Sequence, residues 1–264
     1  MNNKTAIVTG GSSGIGHAIS QQLLARGMVV HSISRNPKRS SNDVLTESRL
    51  DLSDLAAVSV FAQSYIKENG APDLLINNAG YGAFYEWEQF PENEILGQNT
   101  VLFSAPVLLC RAFAPEMAKA GRGSIVNITS LAVLYPLPYM PMYNAAKSAL
   151  SSFTQSLMLE YPSFPRLMDF RLGDVKTSFN QSAPKQAESN QSQSMRKAWA
   201  KIESQLQESV DAEVVARRLL TLLGKNRHGV CYSGTFFQSR IAPFLHRAIP
   251  SRMLRFILKL RYGL

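Results

Sequence analysis

The chain has 264 residues, of which 45% are hydrophobic and 18% charged, a composition typical of a soluble globular protein with one sizeable core. Its two cysteines lie far apart in no metal-ligand spacing, which argues against a metal site and favours free thiols in the reducing cytoplasm. The opening segment has no cationic stretch followed by an apolar run, so we expect neither a secretory signal nor a transit peptide.

The positive charge is concentrated at the C-terminal end. The net charge is +9, yet ten of the 28 Lys and Arg residues lie in 214–264, which leaves 18 basic residues against all 19 Asp and Glu. We therefore predict a near-neutral domain with a basic tail. Because no recognition helix or aromatic-basic pattern accompanies this tail, we expect no nucleic-acid partner.

The predicted elements alternate between strands and helices. "TAIVTG" is a short apolar strand, followed by a glycine-rich turn, the helical "GHAISQQLLARG" and the strand "MVVHSIS". Further strand-like runs are "DLLINN", "GSIVNIT" and "LMDFRL", and helical patterns cover 54–68, 92–119 and 141–160. This alternation predicts an α/β protein with a single-domain Rossmann fold, a doubly wound parallel sheet, over residues 1–235.

Two segments within the domain have unusual composition. The stretch 178–194 is polar and precedes the helical "MRKAWAKIESQLQES", so we expect residues 178–208 to form a mobile lid over a substrate. The most apolar interior run, Val101 to Cys110, is interrupted by a serine and a proline and is too short to span a bilayer. It predicts a core or interface helix.

The turn after the first strand, Thr9 to Gly16, reads "TGGSSGIG". Glycines let a backbone approach a pyrophosphate, and the following helix supplies amide donors and a positive dipole end. Glycines also form ordinary turns, so the position directly after the first strand is what favours a dinucleotide.

The residues after the second strand suggest which dinucleotide binds. An acid there would bond the ribose 2′-hydroxyl, but the sequence has Ser34 and Arg35, followed by Lys38 and Arg39. A guanidinium suits a 2′-phosphate through charge-assisted bonds, so we predict NADP(H) rather than NAD(H). The alternative is a solvated basic loop.

The motif "YNAAK" places Tyr143 and Lys147 four residues apart in a predicted helix. Such residues share one helix face. A cation near a phenol favours the phenolate and lowers the phenol pKa, and a tyrosine can then give a proton to the alkoxide formed when a ketone accepts hydride.

Together these motifs resemble the short-chain dehydrogenase/reductase family over roughly residues 4–232. "TGGSSGIG" is similar to the cofactor turn, "NNAG" to the motif after the fourth strand, and Asp51 in "LDLS" to the adenine-contacting acid. The residues at the places of the catalytic tetrad are Asn99, Ser130, Tyr143 and Lys147.

The resemblance implies a role for each member of the tetrad. Tyr143 is the proton donor, and Lys147 also holds the nicotinamide ribose hydroxyls. Ser130 bonds the substrate carbonyl, and Asn99 holds the water of a proton relay. Each has a plainer alternative: a rim tyrosine, a surface cation, a strand-end cap and a helix kink.

The implied cofactor contacts follow the strand ends and the tyrosine-containing helix. They are Gly10, Ser12, Ser13, Gly14, Ile15, Gly16, Ser34, Arg35, Asp51, Leu52, Asn78, Ala79, Gly80, Tyr143, Lys147, Gly173, Val175 and Thr177. Leu172 departs from the family, which usually has proline before Gly173.

Large apolar residues surround the expected substrate position. They are Tyr81, Phe84, Tyr85 and Trp87, and then Leu134, Tyr135, Leu137, Tyr139 and Met140. Such a lining suits a hydrophobic ketone, such as a 3-oxoacyl thioester or a long-chain 3-oxo lipid, so we expect an NADPH-dependent carbonyl reductase. Alternatively these aromatics pack on each other or on a partner subunit. The alternative functions are a non-catalytic NADP(H)-binding sensor or scaffold, or a membrane-surface protein that acts through its basic tail.

The C-terminal extension, residues 236–264, is predicted to be basic and amphipathic. Ser251 is placed to cap a short helix with Arg252, Arg255 and Lys259 on one face. The predicted apolar side contains Met253, Leu254, Phe256, Ile257, Leu258 and Leu260. We expect peripheral contact with an anionic membrane; alternatively the apolar side packs on the domain or in the interface of a homodimer or homotetramer.

Overall fold

Seven parallel strands form the central sheet of the computed structural model, which describes residues 4–37 and 44–264. They are β1 (Thr5–Thr9), β2 (Val29–Ser34), β3 (Leu45–Arg49), β4 (Leu74–Asn77), β5 (Ser124–Ser130), β6 (Arg166–Leu172) and β9 (Gly229–Ser233), in the spatial order β3-β2-β1-β4-β5-β6-β9. Two short strands, β7 (Val175–Lys176) and β8 (Val210–Asp211), pair separately. The predicted doubly wound parallel sheet is confirmed.

Helices cover both faces of the sheet. They are α1 (Gly14–Leu24), α2 (Leu55–Asn69), α3 (Glu92–Asn99), α4 (Ala105–Lys119), α5 (Pro141–Glu160), α6 (Gln193–Gln207), α7 (Ala212–Gly224), α8 (Ala242–Ala248) and α9 (Ser251–Tyr262). Alternate strand residues bury into opposite layers: Val8 packs with α1 and α7, whereas Ile7 packs with α2 and α4. This alternation produces two hydrophobic cores from one sheet.

The sequence patterns located the five central strands but missed β3 and β9. Both are the outermost strands of the sheet. The segment Leu45–Arg49, "LTESR", is mostly polar and half-buried or exposed, so it lacks the continuous apolar run of a strand buried on both faces.

Helices α3 and α4 are joined by a π-helical turn, Thr100–Ser104, into one helical run from Glu92 to Lys119. This run is long and apolar enough to cross a membrane by length and composition alone. However, Leu109 and Phe113 are fully buried against the sheet. The run therefore has the packing of the core helix that the sequence predicts.

The C-terminal helices pack over the carboxyl ends of the strands. Tyr262 of α9 joins a buried cluster with Met195 of α6 and Phe84. The predicted cap at Ser251 is wrong, because Pro250 holds the capping position and no side-chain capping bond forms. The apolar residues of α9 also fall on two sides: Leu254 and Tyr262 are buried, whereas Met253, Phe256, Ile257 and Leu260 are exposed.

Candidate active site

One cleft of about 960 Å³ opens at the carboxyl ends of the sheet strands, where parallel α/β sheets bind ligands. Most of the predicted site residues line it. They are Gly10, Ser12, Ser13, Gly14, Ile15, Ser34, Arg35, Asp51, Leu52, Asn78, Ala79, Gly80, Ser130, Tyr143, Lys147, Gly173, Val175 and Thr177. Gly16 and Asn99 do not.

The turn between β1 and α1 needs its glycines. Gly10 and Gly14 have φ of +70° and +50°, in the left-handed region that favours glycine. A Cβ on Gly16 would lie 2.3 Å from the carbonyl oxygen of Gly10 and 2.5 Å from Nδ2 of Asn78. That amide nitrogen donates to the carbonyl oxygen of Thr9 at 2.9 Å. Gly16 therefore permits the close approach of helix and turn, and it is not among the residues that line the cleft.

A smaller cavity of about 350 Å³ lies beside the cleft and is lined by Arg35, Asn36, Arg49 and Asp51. Arg49 ends β3 opposite Ser34 of β2, which brings a second guanidinium to this point. The sequence analysis missed Arg49 because it missed β3. The other two predicted basic residues, Lys38 and Arg39, lie outside the described residues.

The predicted adenine-contacting acid, Asp51, is exposed and hydrogen-bonded. Its carboxylate oxygen Oδ1 accepts from the backbone N–H of Ser53 at 2.9 Å and from the Ser53 hydroxyl at 2.8 Å. These bonds, chiefly the backbone one, lower the pKa of Asp51, and the nearby charge of Arg35 acts in the same direction. Asp51 is thus a fixed anion at the edge of the cleft.

The side chains of Ser130, Tyr143 and Lys147 meet where β5 faces α5. Tyr143 is hydrogen-bonded to Ser130, whose oxygen also accepts from the backbone N–H of Ala132 at 3.0 Å. The Nζ of Lys147 lies 6.0 Å from the Tyr143 ring centroid and donates to the carbonyl oxygen of Ile128 at 2.7 Å. A phenol, a hydroxyl and an amine therefore share one wall of the cleft.

Burial dominates the titration of these groups. It raises the pKa of Tyr143, although the hydrogen bond to Ser130 opposes the rise. It also lowers the pKa of Lys147 to about 8, opposed by the charge of Asp169. The expectation that Lys147 depresses the Tyr143 pKa is not met, because desolvation and the charge of Asp174 raise that pKa and only the hydrogen bond to Ser130 lowers it.

A buried polar network, here called the polar seam, attaches α5 to the sheet. At its centre Asp169 of β6 accepts hydrogen bonds from the Ser151 hydroxyl at 2.7 Å, from Nε of Arg171 at 2.9 Å and from the Thr129 hydroxyl. Arg171 also donates to the Ser151 oxygen at 2.9 Å. Asp169 is fully buried, so these donors and its ion pair with Arg171 offset the cost of burying its charge.

Asparagines extend the polar seam along the same helix. The amide nitrogen of Asn77 donates to Oδ1 of Asn127 at 2.7 Å, and Nδ2 of Asn127 donates to Thr154 of α5 at 2.7 Å. All three residues are buried. A one-residue shift of α5 would leave these groups unpaired, so the seam fixes where Tyr143 and Lys147 point.

Asn99 does not join the other three members of the predicted tetrad. It is exposed and lies at the end of α3, immediately before the π-helical turn, whereas the preceding Gln98 is fully buried. Its neighbours Gly97 and Val101 line the cleft, whereas Asn99 does not.

The apolar part of the cleft differs from the one expected. Tyr81, Tyr135, Leu137 and Met140 line it as predicted. Among the other expected residues, Phe84 is buried in the cluster beneath Trp199 and Trp87 is exposed. Further apolar walls come from the loop after β7, from α6 and from the C-terminal segment. They are Phe179 of the loop, Ile202 and Leu206 of α6, and Phe237, Leu245, Ile249, Leu254, Ile257 and Leu258 of the C-terminal segment. The sequence did not predict that the extension would line the site.

Comparison with known proteins shows the family of the chain. The family model described as short chain dehydrogenase matches residues 4–188. A 3-ketodihydrosphingosine reductase from Bacteroides thetaiotaomicron is 33% identical over 180 residues, which span 68% of this chain and 66% of that protein, just under two thirds. Dehydrogenase/reductase SDR family member 4 from Bos taurus is 34% identical over 194 residues, covering 68% of each chain.

Solved structures share the fold. A short-chain dehydrogenase from Streptomyces avermitilis superposes with a TM-score of 0.79 at 24% identity, covering 93% of this chain and 91% of the other. L-sorbose reductase from Gluconobacter frateurii, complexed with NADPH and L-sorbose, gives 0.71 at 21% identity over 88% and 95% of the two chains.

Proposed function

The chain belongs to the short-chain dehydrogenase family, and on that premise we propose that this oxidoreductase is an NADPH-dependent reductase of a lipophilic ketone, specifically a long-chain 3-oxo lipid. The observation that carries the proposal is the position of Ser130, Tyr143 and Lys147. They lie in one cleft between a glycine-rich, arginine-bordered end and an apolar end.

The polar end of the cleft fits a phosphorylated dinucleotide. The turn at Gly10–Gly16 has its backbone at the cleft surface and leads into the N-terminus of α1, which suits a pyrophosphate. Arg35 and Arg49 border the adjoining cavity, which suits a 2′-phosphate. Lys147 is placed to bond ribose hydroxyls. A bound nicotinamide would supply the hydride.

Side chains of this protein donate the proton to the ketone oxygen and stabilise the negative charge that develops on it. Tyr143 donates its phenolic proton to the carbonyl oxygen as that oxygen becomes an alkoxide. Ser130 donates a hydrogen bond to the same oxygen and stabilises the developing charge. The ammonium of Lys147, whose Nζ lies 6.0 Å from the ring centroid, favours the phenolate that remains, against the desolvation that raises the Tyr143 pKa.

The apolar end of the cleft supports a long acyl chain as the substrate. Leu254, Ile257 and Leu258 of α9 line it together with Ile202 and Leu206 of α6. Such a lining favours alkyl over sugar substrates. The name of the Bacteroides relative, a 3-ketodihydrosphingosine reductase, supports the same class. A non-catalytic sensor would not need a half-buried tyrosine beside a buried lysine, since desolvation destabilises the charged forms of both.

A panel of substrates tests the proposed specificity. NADPH consumption by the wild type should be faster with long-chain 3-oxo lipids and 3-oxoacyl thioesters than with sugars.

The Tyr143→Phe variant tests the proposed chemistry. The variant should lose about 10²–10⁴-fold in kcat while binding NADPH almost unchanged, because only the acid is removed. More than about a tenth of the wild-type turnover would show that Tyr143 is not the acid.

The cofactor preference is tested at the two arginines. We expect at least about tenfold tighter binding of NADPH than of NADH in fluorescence titrations, since tenfold needs about 1.4 kcal/mol, within reach of a charge-assisted pair. Arg35→Ala and Arg49→Ala should each reduce that ratio. Arg26→Ala, an exposed arginine at the far end of α1, serves as the control. Equal affinities in the wild type would refute the preference.

We propose that the protein is cytoplasmic and contacts a membrane peripherally through the outer side of its C-terminal segment. Phe244, Phe256 and Leu260 are 71%, 62% and 66% exposed. Exposed arginines and a lysine lie among them, namely Arg240, Arg247, Arg252, Arg255 and Lys259. Apolar side chains interspersed with cations suit an anionic lipid surface.

Co-sedimentation with vesicles tests this contact. The full chain should bind anionic vesicles at low salt and neutral vesicles weakly. Replacing Phe256 and Leu260 by serine should weaken binding at least about tenfold, given about 1.5–3 kcal/mol for each buried apolar side chain. Val60→Ser, at a 63% exposed valine of α2, should have no effect. Absence of binding by the wild type would exclude the membrane role.

A further inference from the structure

A carboxylate, Asp174, stands in the cleft without a role in the chemistry above. It follows β6 directly, between Gly173 and Val175, and lines the cleft with them. The site description derived from sequence did not include it. A carboxylate is neither a proton donor nor a hydride acceptor in the proposed reduction, so its position requires another explanation.

Gln238 holds one oxygen of this carboxylate. Its Nε2 donates to Oδ2 of Asp174 at 2.6 Å, while its Oε1 accepts from the backbone N–H of Thr235 at 3.2 Å. Because the backbone N–H can only donate, the amide orientation is determined. A Cβ on Gly173 would lie 2.3 Å from that Oε1. Gln238 can therefore occupy this position only because residue 173 has no side chain.

The charge of Asp174 has no direct partner. The ion pairs among residues 4–37 and 44–264 are Lys119–Glu116, Arg122–Asp73 and Arg171–Asp169. Within the same described residues, the only hydrogen-bond donor to the Asp174 carboxylate is Gln238, at Oδ2. Arg261 of α9 acts on it only at longer range. Burial raises the pKa of Asp174, as expected for a desolvated carboxylate without a counter-ion.

Asp174 is close to the proposed acid. Its charge raises the pKa of Tyr143, so by itself it opposes formation of the phenolate during proton transfer. A cation bound between the two would cancel that opposition and would also stabilise the alkoxide. The groups that face this point are Tyr143, Gln238, Arg261 and Tyr262.

We infer that Asp174, oriented by Gln238, is a specificity-determining residue that binds an ammonium group adjacent to the reacting ketone. The inference rests on the proposed ketone reduction and narrows its substrate class to long-chain 2-amino ketones. We place the amine on the carbon next to the ketone because Asp174 and Tyr143 line the same cleft and the charge of Asp174 acts on Tyr143. The apolar walls of α6 and α9 receive the alkyl chain, and the amine is unchanged by the reaction.

The first test compares two ketones of equal chain length, a 2-amino-3-oxo compound and its analogue without the amine. Wild-type kcat/KM should favour the amino ketone at least about tenfold, as expected for a charge-assisted contact of about 1.4 kcal/mol. Asp174→Asn should reduce this ratio to within about threefold of unity. Glu160→Gln, which removes an exposed charge at the end of α5, should leave the ratio intact. Equal wild-type values would overturn the inference while leaving the reductase proposal in place.

A binding measurement separates failure of the inference from failure of the proposed function. In calorimetric titrations, a long-chain 2-amino alcohol should bind the wild type more tightly than its N-acetylated form, and Asp174→Asn should abolish the difference. If neither ketone is reduced, the proposed function fails, yet this difference would still establish Asp174 as an ammonium site. Equal binding of the amine and the amide by the wild type would overturn it.

Discussion

The constraint on which the rest of the site depends is the polar seam beneath α5. A fully buried carboxylate, Asp169, accepts bonds from the helix at Ser151 and from neighbouring strand residues. Apolar packing alone tolerates small sliding of a helix on a sheet, whereas buried polar groups lose their partners when the helix moves. The polar seam therefore allows only one position of α5 on the sheet. In that position Tyr143 and Lys147 point toward the carboxyl ends of the strands.

Two ionisable groups of the site, Lys147 and Asp174, are desolvated at a cost in folding free energy. Burial lowers the pKa of Lys147 to about 8. At pH 7 the charged Lys147 therefore destabilises the folded state, and this destabilisation decreases as the pH rises above that value. Asp174 is desolvated with a raised pKa and lacks a counter-ion among the described residues. The proposed ligands, ribose hydroxyls and an ammonium group, are the partners that would repay these costs on binding.

Local motifs made much of the fold and site predictable. The glycine-rich turn, the alternating elements and the spacing of Tyr143 and Lys147 depend on neighbours in sequence, and their placement agrees with the structure. What the sequence missed depends on distant contacts. Arg49 lies on a polar edge strand. Asp174 is oriented by Gln238, a residue distant in sequence. The C-terminal helix lines the cleft through Leu254 and Leu258.

The central claim is that the polar seam sets the position and charge of the catalytic wall. The direct measurement is the pH dependence of kcat in Asp169→Asn. In this account, reduction slows as Lys147 loses its proton, and the Asp169 charge raises the Lys147 pKa. The alkaline limb of the profile should therefore move to lower pH in the variant and stay in place in Glu160→Gln. A folded Asp169→Asn enzyme with an unmoved alkaline limb would contradict the account.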